Sequence, residues 1–91
     1  MKNDIHIASL VVHVQPAELA RFKAWANAQP QLELPAASPE GKVVLVTETR
    51  DQHAILAEID RIERQPGVLS CTLVYHEVMS PEEADEMETP A

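Results

Sequence analysis

The chain has 91 residues, enough for one small domain with a single core but too few for an enclosed active site with a separate substrate domain. It carries 15 acidic residues against seven lysines and arginines, a formal net charge of −8, which argues against nucleic acid and an anionic membrane surface as partners. One cysteine cannot form an internal disulfide, and no signal-peptide pattern opens the chain, so a reducing cytoplasm is the expected compartment.

The charge is unevenly distributed along the chain. Residues 79–91 contain five acids and no base, whereas residues 1–78 contain ten acids and seven bases. Strongly acidic segments with few apolar residues cannot bury enough surface to fold, and they stay solvated. We therefore expect one folded domain, residues 1–78, followed by a disordered acidic tail, residues 79–91.

The first half of the chain predicts a strand and then a helix. Residues 5–14 are rich in β-branched and apolar side chains, as strands are. Pro16 suits the first turn of a helix because its missing N–H would have no partner there. The helix runs to about residue 28 and places Leu19, Phe22 and Ala26 on one face.

A hairpin is predicted next. Residues 31–36 form a short strand, which Pro35 confines to an edge because proline cannot donate a hydrogen bond to a neighbouring strand. Gly41 supplies the turn, and residues 42–47 form the third strand.

A second helix and a last strand complete the domain. Thr49 or Asp51 can cap the helix, whose apolar stripe of isoleucines at positions 55, 59 and 62 is widened by Leu56. The segment Gln65-Pro66-Gly67 stops the helix, and residues 68–78 form the last strand.

The order of these elements, β-α-β-β-α-β, predicts an α+β fold of the ferredoxin-like kind. In that fold two helices cover one face of a four-stranded antiparallel sheet. Right-handed crossovers place the first and last strands side by side, and we expect both in the centre of the sheet. The other face of the sheet has no helices to cover it and is the expected place for function.

A near-repeat on the first and last strands predicts which side chains face outward. Ser9-Leu10-Val11-Val12-His13 near the start matches Thr72-Leu73-Val74-Tyr75-His76 near the end. Side chains alternate between the two faces of a strand, and the more uniformly apolar set belongs in the core. We therefore expect Leu10, Val12, Leu73 and Tyr75 to be buried. The expected outward residues are Ser9, Val11, His13, Thr72, Val74 and His76.

None of the reactive side chains forms a convincing catalytic or metal site. His13 and His76 lack a third ligand at suitable spacing, and Cys71 lacks an activating base. Acylphosphatase-like chemistry would need an arginine-bearing phosphate loop after the first strand, where this chain has His13-Val14-Gln15-Pro16. The sequence therefore predicts a binding protein without enzymatic activity, metal or cofactor.

Several of the segments described above resemble the NapD family. The resemblance rests on Ser9-Leu10-Val11-Val12, on Gly67-Val68-Leu69 and on the closing Leu73-Val74-Tyr75-His76, with the Gly41-Lys42 hairpin between them. It spans roughly residues 5–77 and leaves the acidic tail uncovered.

The resemblance implies a role as well as a fold. Members of this family are small, ferredoxin-like cytoplasmic chaperones that bind the twin-arginine signal peptide of the catalytic subunit of periplasmic nitrate reductase. They hold back export while the molybdenum cofactor is inserted. The implied partner is that peptide, without stable insertion into a membrane. Acids at the rim of the sheet, Glu48 and Glu77 among them, are expected to meet its arginines.

A different class of function remains open at this point. Ferredoxin-like domains host many unrelated activities, including regulatory modules that bind a small molecule or associate with themselves. Such a module would show stabilisation by a metabolite and no response to a signal peptide.

Overall fold

The computed structural model describes residues 4–80 of the chain. The helices and strands in this range are β1 (Ile5–Val14), α1 (Leu19–Asn27), β2 (Leu32–Ala37), β3 (Lys42–Thr49), α2 (Gln52–Glu63) and β4 (Val68–Met79). A short 3₁₀ turn, Pro16–Glu18, leads into α1. The predicted elements and their order are confirmed, and most of the predicted acidic tail lies outside the described residues.

The four strands form one antiparallel sheet in the order β2-β3-β1-β4. β1 and β4 are neighbours, as predicted, but the expectation that both are central is wrong because β4 is an edge strand. Each helical crossover passes over one strand. β3 lies between β1 and β2, and β1 lies between β3 and β4. The two central strands are therefore β1 and β3.

The core lies between one face of this sheet and the two helices. The inward row of β1 is completely or almost completely buried, each residue being at most 2% exposed. This row is Ala8, Leu10, Val12 and Val14. Leu10, Val12 and Val14 of this row pack with residues of β3, α1 and α2, namely Val43, Leu45, Phe22, Ala26 and Ile62. Because both helices contribute to this one cluster, they cover the same face of the sheet.

Gly41 closes the β2–β3 hairpin against the end of β1. Its φ of 102° lies in the left-handed region that favours glycine. A Cβ at this position would lie 1.9 Å from the carbonyl oxygen of Val14. Gly41 in turn accepts a 2.8 Å hydrogen bond from the backbone N–H of Val14. The hairpin turn thus approaches β1 too closely for any other residue.

Two irregularities in β4 change which way its side chains point. Leu10 pairs with Leu73 while Ser9 pairs with Tyr75, so Val74 is an extra residue without a partner on β1. Leu69 is extra in the same way, between the residues that pair with His13 and Val14. An extra residue of this kind is a β-bulge, and it reverses the alternation beyond it.

The bulge at Val74 overturns two predicted orientations. Residues directly opposite each other in an antiparallel pair share a face. Tyr75 lies opposite Ser9, on the face away from the helices, and is 51% exposed. His76 lies opposite Ala8, on the helix side. The expectation that Tyr75 is in the core and that His76 faces outward is therefore wrong. Leu73 does lie on the helix side, opposite Leu10, but the expectation that it is buried is also wrong, because at the edge of the sheet it is 40% exposed.

α2 begins at a side-chain cap and buries one carboxylate. Asp51 accepts a 2.9 Å hydrogen bond from the backbone N–H of His53, and this bond lowers the pKa of the Asp51 carboxyl. Ile55 and Ile62 are buried as predicted, but Leu56 is 61% exposed, so it does not widen the apolar stripe. Glu58 occupies the buried side instead.

The carboxylate of Glu58 ties α2 to the loop before β2. It accepts a 2.8 Å hydrogen bond from Arg61, one turn further along the helix. It also accepts a 3.1 Å bond from the side-chain amide of Gln31. Arg61 reaches on to Gln29, and its guanidinium lies 5.6 Å from the centre of the Trp25 ring. This network fixes the position of the loop that contains Gln29 and Gln31.

Replacing Glu58 is expected to destabilise the domain much more than replacing its exposed neighbour Asp60. Glu58→Ala leaves Gln31 and Arg61 without their shared acceptor, and the loss of hydrogen bonds to a charged group costs about 2 kcal/mol. Asp60→Ala removes an exposed pair with Arg64 and costs at most about 1 kcal/mol. Urea denaturation of both variants measures the difference. Equal losses would show that the Glu58 network contributes nothing beyond a surface ion pair.

Candidate functional site

The face of the sheet away from the helices is called the open face here, because no element within residues 4–80 covers it. β1 contributes Ile7, Ser9 and Val11, all half-buried. The half-buried Val46 and Val44 of β3 lie opposite Ser9 and Val11. On the other side, β4 places Tyr75 opposite Ser9 and Thr72 opposite Val11. The open face therefore has an apolar centre with small hydroxyl groups among the valines.

Four of the six outward residues predicted from the sequence lie on the open face. These are Ser9, Val11, His13 and Thr72. Val74 is 56% exposed but stands at the bulge, opposite no residue of β1.

His76 pairs with His6 rather than with His13. The two rings are hydrogen-bonded, with 3.1 Å between Nδ1 of His6 and Nε2 of His76. His76 lines a shallow groove between α2 and β4 together with Leu56 and Leu73. In the described part of the chain, no three His, Cys, Asp or Glu side chains are placed to hold a metal ion. His13, which lies opposite Ser70, is in a different part of the sheet from His76.

One end of the open face is acidic. Glu48 and Glu77 both lie opposite Ile7, one on each side of β1. Glu33 of β2 lies opposite Val46, on the same face. Two carboxylates therefore flank Ile7 and a third lies on β2 at the same end, whereas Lys42 and His13 lie at the other end of the sheet.

The carboxylate of Glu77 is held by Tyr75. The phenol O–H of Tyr75 donates a 2.5 Å hydrogen bond to Oε1 of Glu77. This bond raises the pKa of Tyr75, so the phenol remains a donor at physiological pH. The bulge that turns Tyr75 outward thus also orients one of the acidic groups.

A cavity of about 390 Å³ opens on the β2–β3 side of the acidic end. Its apolar lining consists of Ile7, Val46 and Pro30, and its polar lining of Gln31, Glu33 and Glu48. Gln31 is fixed on two sides, since its carbonyl accepts a 3.0 Å bond from Thr47 and its amide donates to Glu58. The wall of the cavity is therefore held by the buried network of α2.

Sequence reasoning missed part of this site. Glu33 was not assigned to a face, because Pro35 obscures the alternation of β2. Tyr75 was assigned to the wrong face, because no residue in the run Leu73-Val74-Tyr75 distinguishes a bulge from a regular strand. Ile7 is not among the predicted outward residues, although the alternation of β1 puts it on the same face as Ser9 and it lies between Glu48 and Glu77. Val44 and Val46 could be assigned to a face only once the register with β1 was known.

Comparison with known proteins identifies the family. A model of the NapD protein family matches residues 5–79. The chain belongs to the NapD family. It is 32% identical to the chaperone NapD of Haemophilus influenzae over 75 residues, which is 81% of each protein. It is 29% identical to the chaperone NapD of Escherichia coli K12 over 91 residues, covering 99% of this chain and 100% of the relative.

A solved structure agrees with this assignment. The solution structure of the E. coli Tat proofreading chaperone protein NapD matches with a TM-score of 0.75 and 28% identity. The match covers 100% of this chain and 93% of the E. coli chain. The predicted family, the ferredoxin-like α+β fold and the chaperone role are thereby confirmed, and a regulatory small-molecule module is not favoured. No helix within residues 4–80 is long and apolar enough to cross a membrane.

The position of Cys71 on the helix side of β4 lowers the reactivity of its thiol. It lies opposite Val12, on the core side, and is half-buried. Burial, with a smaller contribution from the charge of Glu63, raises the pKa of the thiol to about 11. The reactive form of a cysteine is the thiolate, so this residue is poorly suited to nucleophilic chemistry at neutral pH.

Alkylation of Cys71 by iodoacetamide is expected to be slow and steeply dependent on pH. With a pKa of about 11, only about a thousandth of the thiol is ionised at pH 8. The rate should rise about tenfold per pH unit up to pH 9.5 without reaching a plateau. The same chain unfolded in urea is the matched control, because it contains no other cysteine. A plateau near pH 9 in the folded protein would contradict the assignment.

Proposed function

We propose that this chain binds the twin-arginine signal peptide of the catalytic subunit of periplasmic nitrate reductase on its open face. Binding takes place in the cytoplasm, and it delays export until the molybdenum cofactor has been inserted. The observation that carries the proposal is an uncovered sheet face that is apolar in the middle and acidic at one end. The chain acts by binding and performs no reaction.

The apolar middle of the open face suits the apolar middle of a signal peptide. Such a segment forms a helix when one of its sides is buried in an apolar groove. The half-buried valines at positions 11, 44 and 46 provide this surface, and neighbouring hydroxyls at Ser9 and Thr72 keep it soluble when it is empty. An uncovered apolar patch with a polar rim is typical of a binding surface.

The acidic end of the open face suits the basic start of the same peptide. Glu33, Glu48 and Glu77 lie at one end, and no lysine or arginine lies beside them on the paired positions of the sheet. The net charge of −8 adds a long-range attraction for a cationic segment. Complementary charge of this kind favours fast association and selects against acidic or neutral segments.

The relatives support the same partner class. The E. coli structure is described as a Tat proofreading chaperone, and its likeness to this chain extends over the entire described sheet. Assignment to the nitrate reductase subunit, rather than to another protein exported with a twin-arginine leader, rests on the NapD family itself.

The variant Val11→Glu is expected to weaken binding of the signal peptide at least about tenfold, which corresponds to ~1.4 kcal/mol. It places a charge in the apolar centre of the open face, where the apolar part of the peptide would lie. Isothermal titration calorimetry with the synthetic leader measures the effect.

Leu56→Glu is the matched control for this experiment. It makes the same kind of change at an exposed leucine of α2, on the other side of the sheet, and adds the same negative charge. Wild-type affinity is expected for Leu56→Glu and also for His76→Ala, whose side chain lies on the helix side. A folded Val11→Glu variant with undiminished affinity would remove the open face from the proposal.

A further inference from the structure

We propose that the acidic end of the open face contains two separate subsites, one on each side of Ile7, which take the two consecutive arginines of the peptide one each. This inference rests on the proposed function and goes further by naming the groups that hold each guanidinium. The first subsite is the cavity with Glu33 and Glu48, and the second is Glu77 with Tyr75.

The first subsite has the form and chemistry that an arginine side chain requires. Its volume of about 390 Å³ is far more than the ~10–15 Å³ that a cavity needs to hold one water. Ile7, Val46 and Pro30 provide an apolar surface for the methylene stem, while two carboxylates and the amide of Gln31 line the same space. Long cationic side chains bind in this way, with a buried stem and a paired head group.

The carboxylates of this cavity have no cation of their own. Within residues 4–80, Glu18, Glu58 and Asp60 are paired with arginines, whereas Glu33 and Glu48 have neither an ion pair nor a side-chain hydrogen bond. Glu33 lies opposite Val46, two residues from Glu48 on the same face, so the two are diagonal neighbours. Like charges at this spacing repel, and a guanidinium between them relieves the repulsion.

The second subsite lies across β1 from the first. Glu48 and Glu77 are both opposite Ile7, so two strand spacings of about 4.8 Å separate them, roughly 10 Å in total. Glu77 is oriented by the hydrogen bond from Tyr75 and has acceptor capacity left for a guanidinium. Consecutive side chains of a helix point about 100° apart, and those of an extended chain point in opposite directions. Two adjacent arginines above Ile7 therefore diverge towards these two groups.

The same arrangement fixes the direction of the bound peptide. With the arginines above Ile7, the apolar segment continues along β1 over Ser9 and Val11. It runs towards Lys42 at the opposite end, whose positive charge would repel the arginines if the peptide were reversed. The carboxylates at one end and Lys42 at the other thus favour this orientation.

Double-mutant cycles test whether the subsites are separate. The proteins are Glu48→Gln and Glu77→Gln, and the peptides are the synthetic leader and two variants in which either arginine is replaced by glutamine. Each protein variant is expected to bind the unmodified leader about tenfold more weakly, as is typical of hydrogen bonds to charged groups. The loss at Glu48 should disappear with one of the two peptides, and the loss at Glu77 with the other.

Glu40→Gln is the matched control, since it removes the same charge from an exposed position in the β2–β3 turn at the opposite end of the sheet. Glu33→Gln should couple to the same arginine as Glu48→Gln. The proposal is overturned if both glutamates couple to one arginine, or if neither variant differs from Glu40→Gln. Failure of the wild-type chain to bind the leader would instead reject the proposed function, and the subsites with it.

Discussion

The pairing of β1 with a strand on each side is the constraint from which the rest of the structure follows. The inward row of β1 is buried almost completely beneath α1 and α2, and burial of apolar surface is the main favourable contribution to folding of a small domain. Because two helices suffice for one face only, the outward row of the same strand has no cover within residues 4–80. The strand that stabilises the fold thus also presents the centre of the proposed binding surface, with Ser9 and Val11 at its middle.

Much of this arrangement could be predicted from the sequence because it depends on local patterns. The apolar alternation of β1, the stripe of α2 and the glycine of the hairpin each have a direct physical meaning, and they give the correct elements and the correct inward row. The order of the strands was predicted less well. β1 and β4 were correctly predicted to be neighbours, but the position of β3 depends on which strand each crossover passes over. The near-repeat on β1 and β4 led to the wrong expectation that both strands are central.

The proposed binding surface was less predictable because it depends on the register between the strands. A single extra residue, Val74, moves Tyr75 onto the open face and His76 off it. No residue around Val74 has a type that would reveal the bulge in the sequence. Glu33, Glu48 and Glu77 are far apart in the sequence, and they lie together only because of the register of β2, β3 and β4 with β1. The sequence analysis placed Glu48 and Glu77 at the rim of the sheet. The cavity beside Glu48 was not predictable, because it depends on a loop whose position is fixed by the hydrogen bond between Gln31 and Glu58.

The most direct test of this account is an NMR titration of the isotope-labelled chain with a leader that carries a spin label in its apolar segment. Paramagnetic broadening should be strongest at Val11, Val44 and Thr72, on the open face, and weak at Leu56 and Ile59 of α2. Broadening centred on the groove between α2 and β4, with the open face unaffected, would contradict the claim that the uncovered face of β1 receives the peptide.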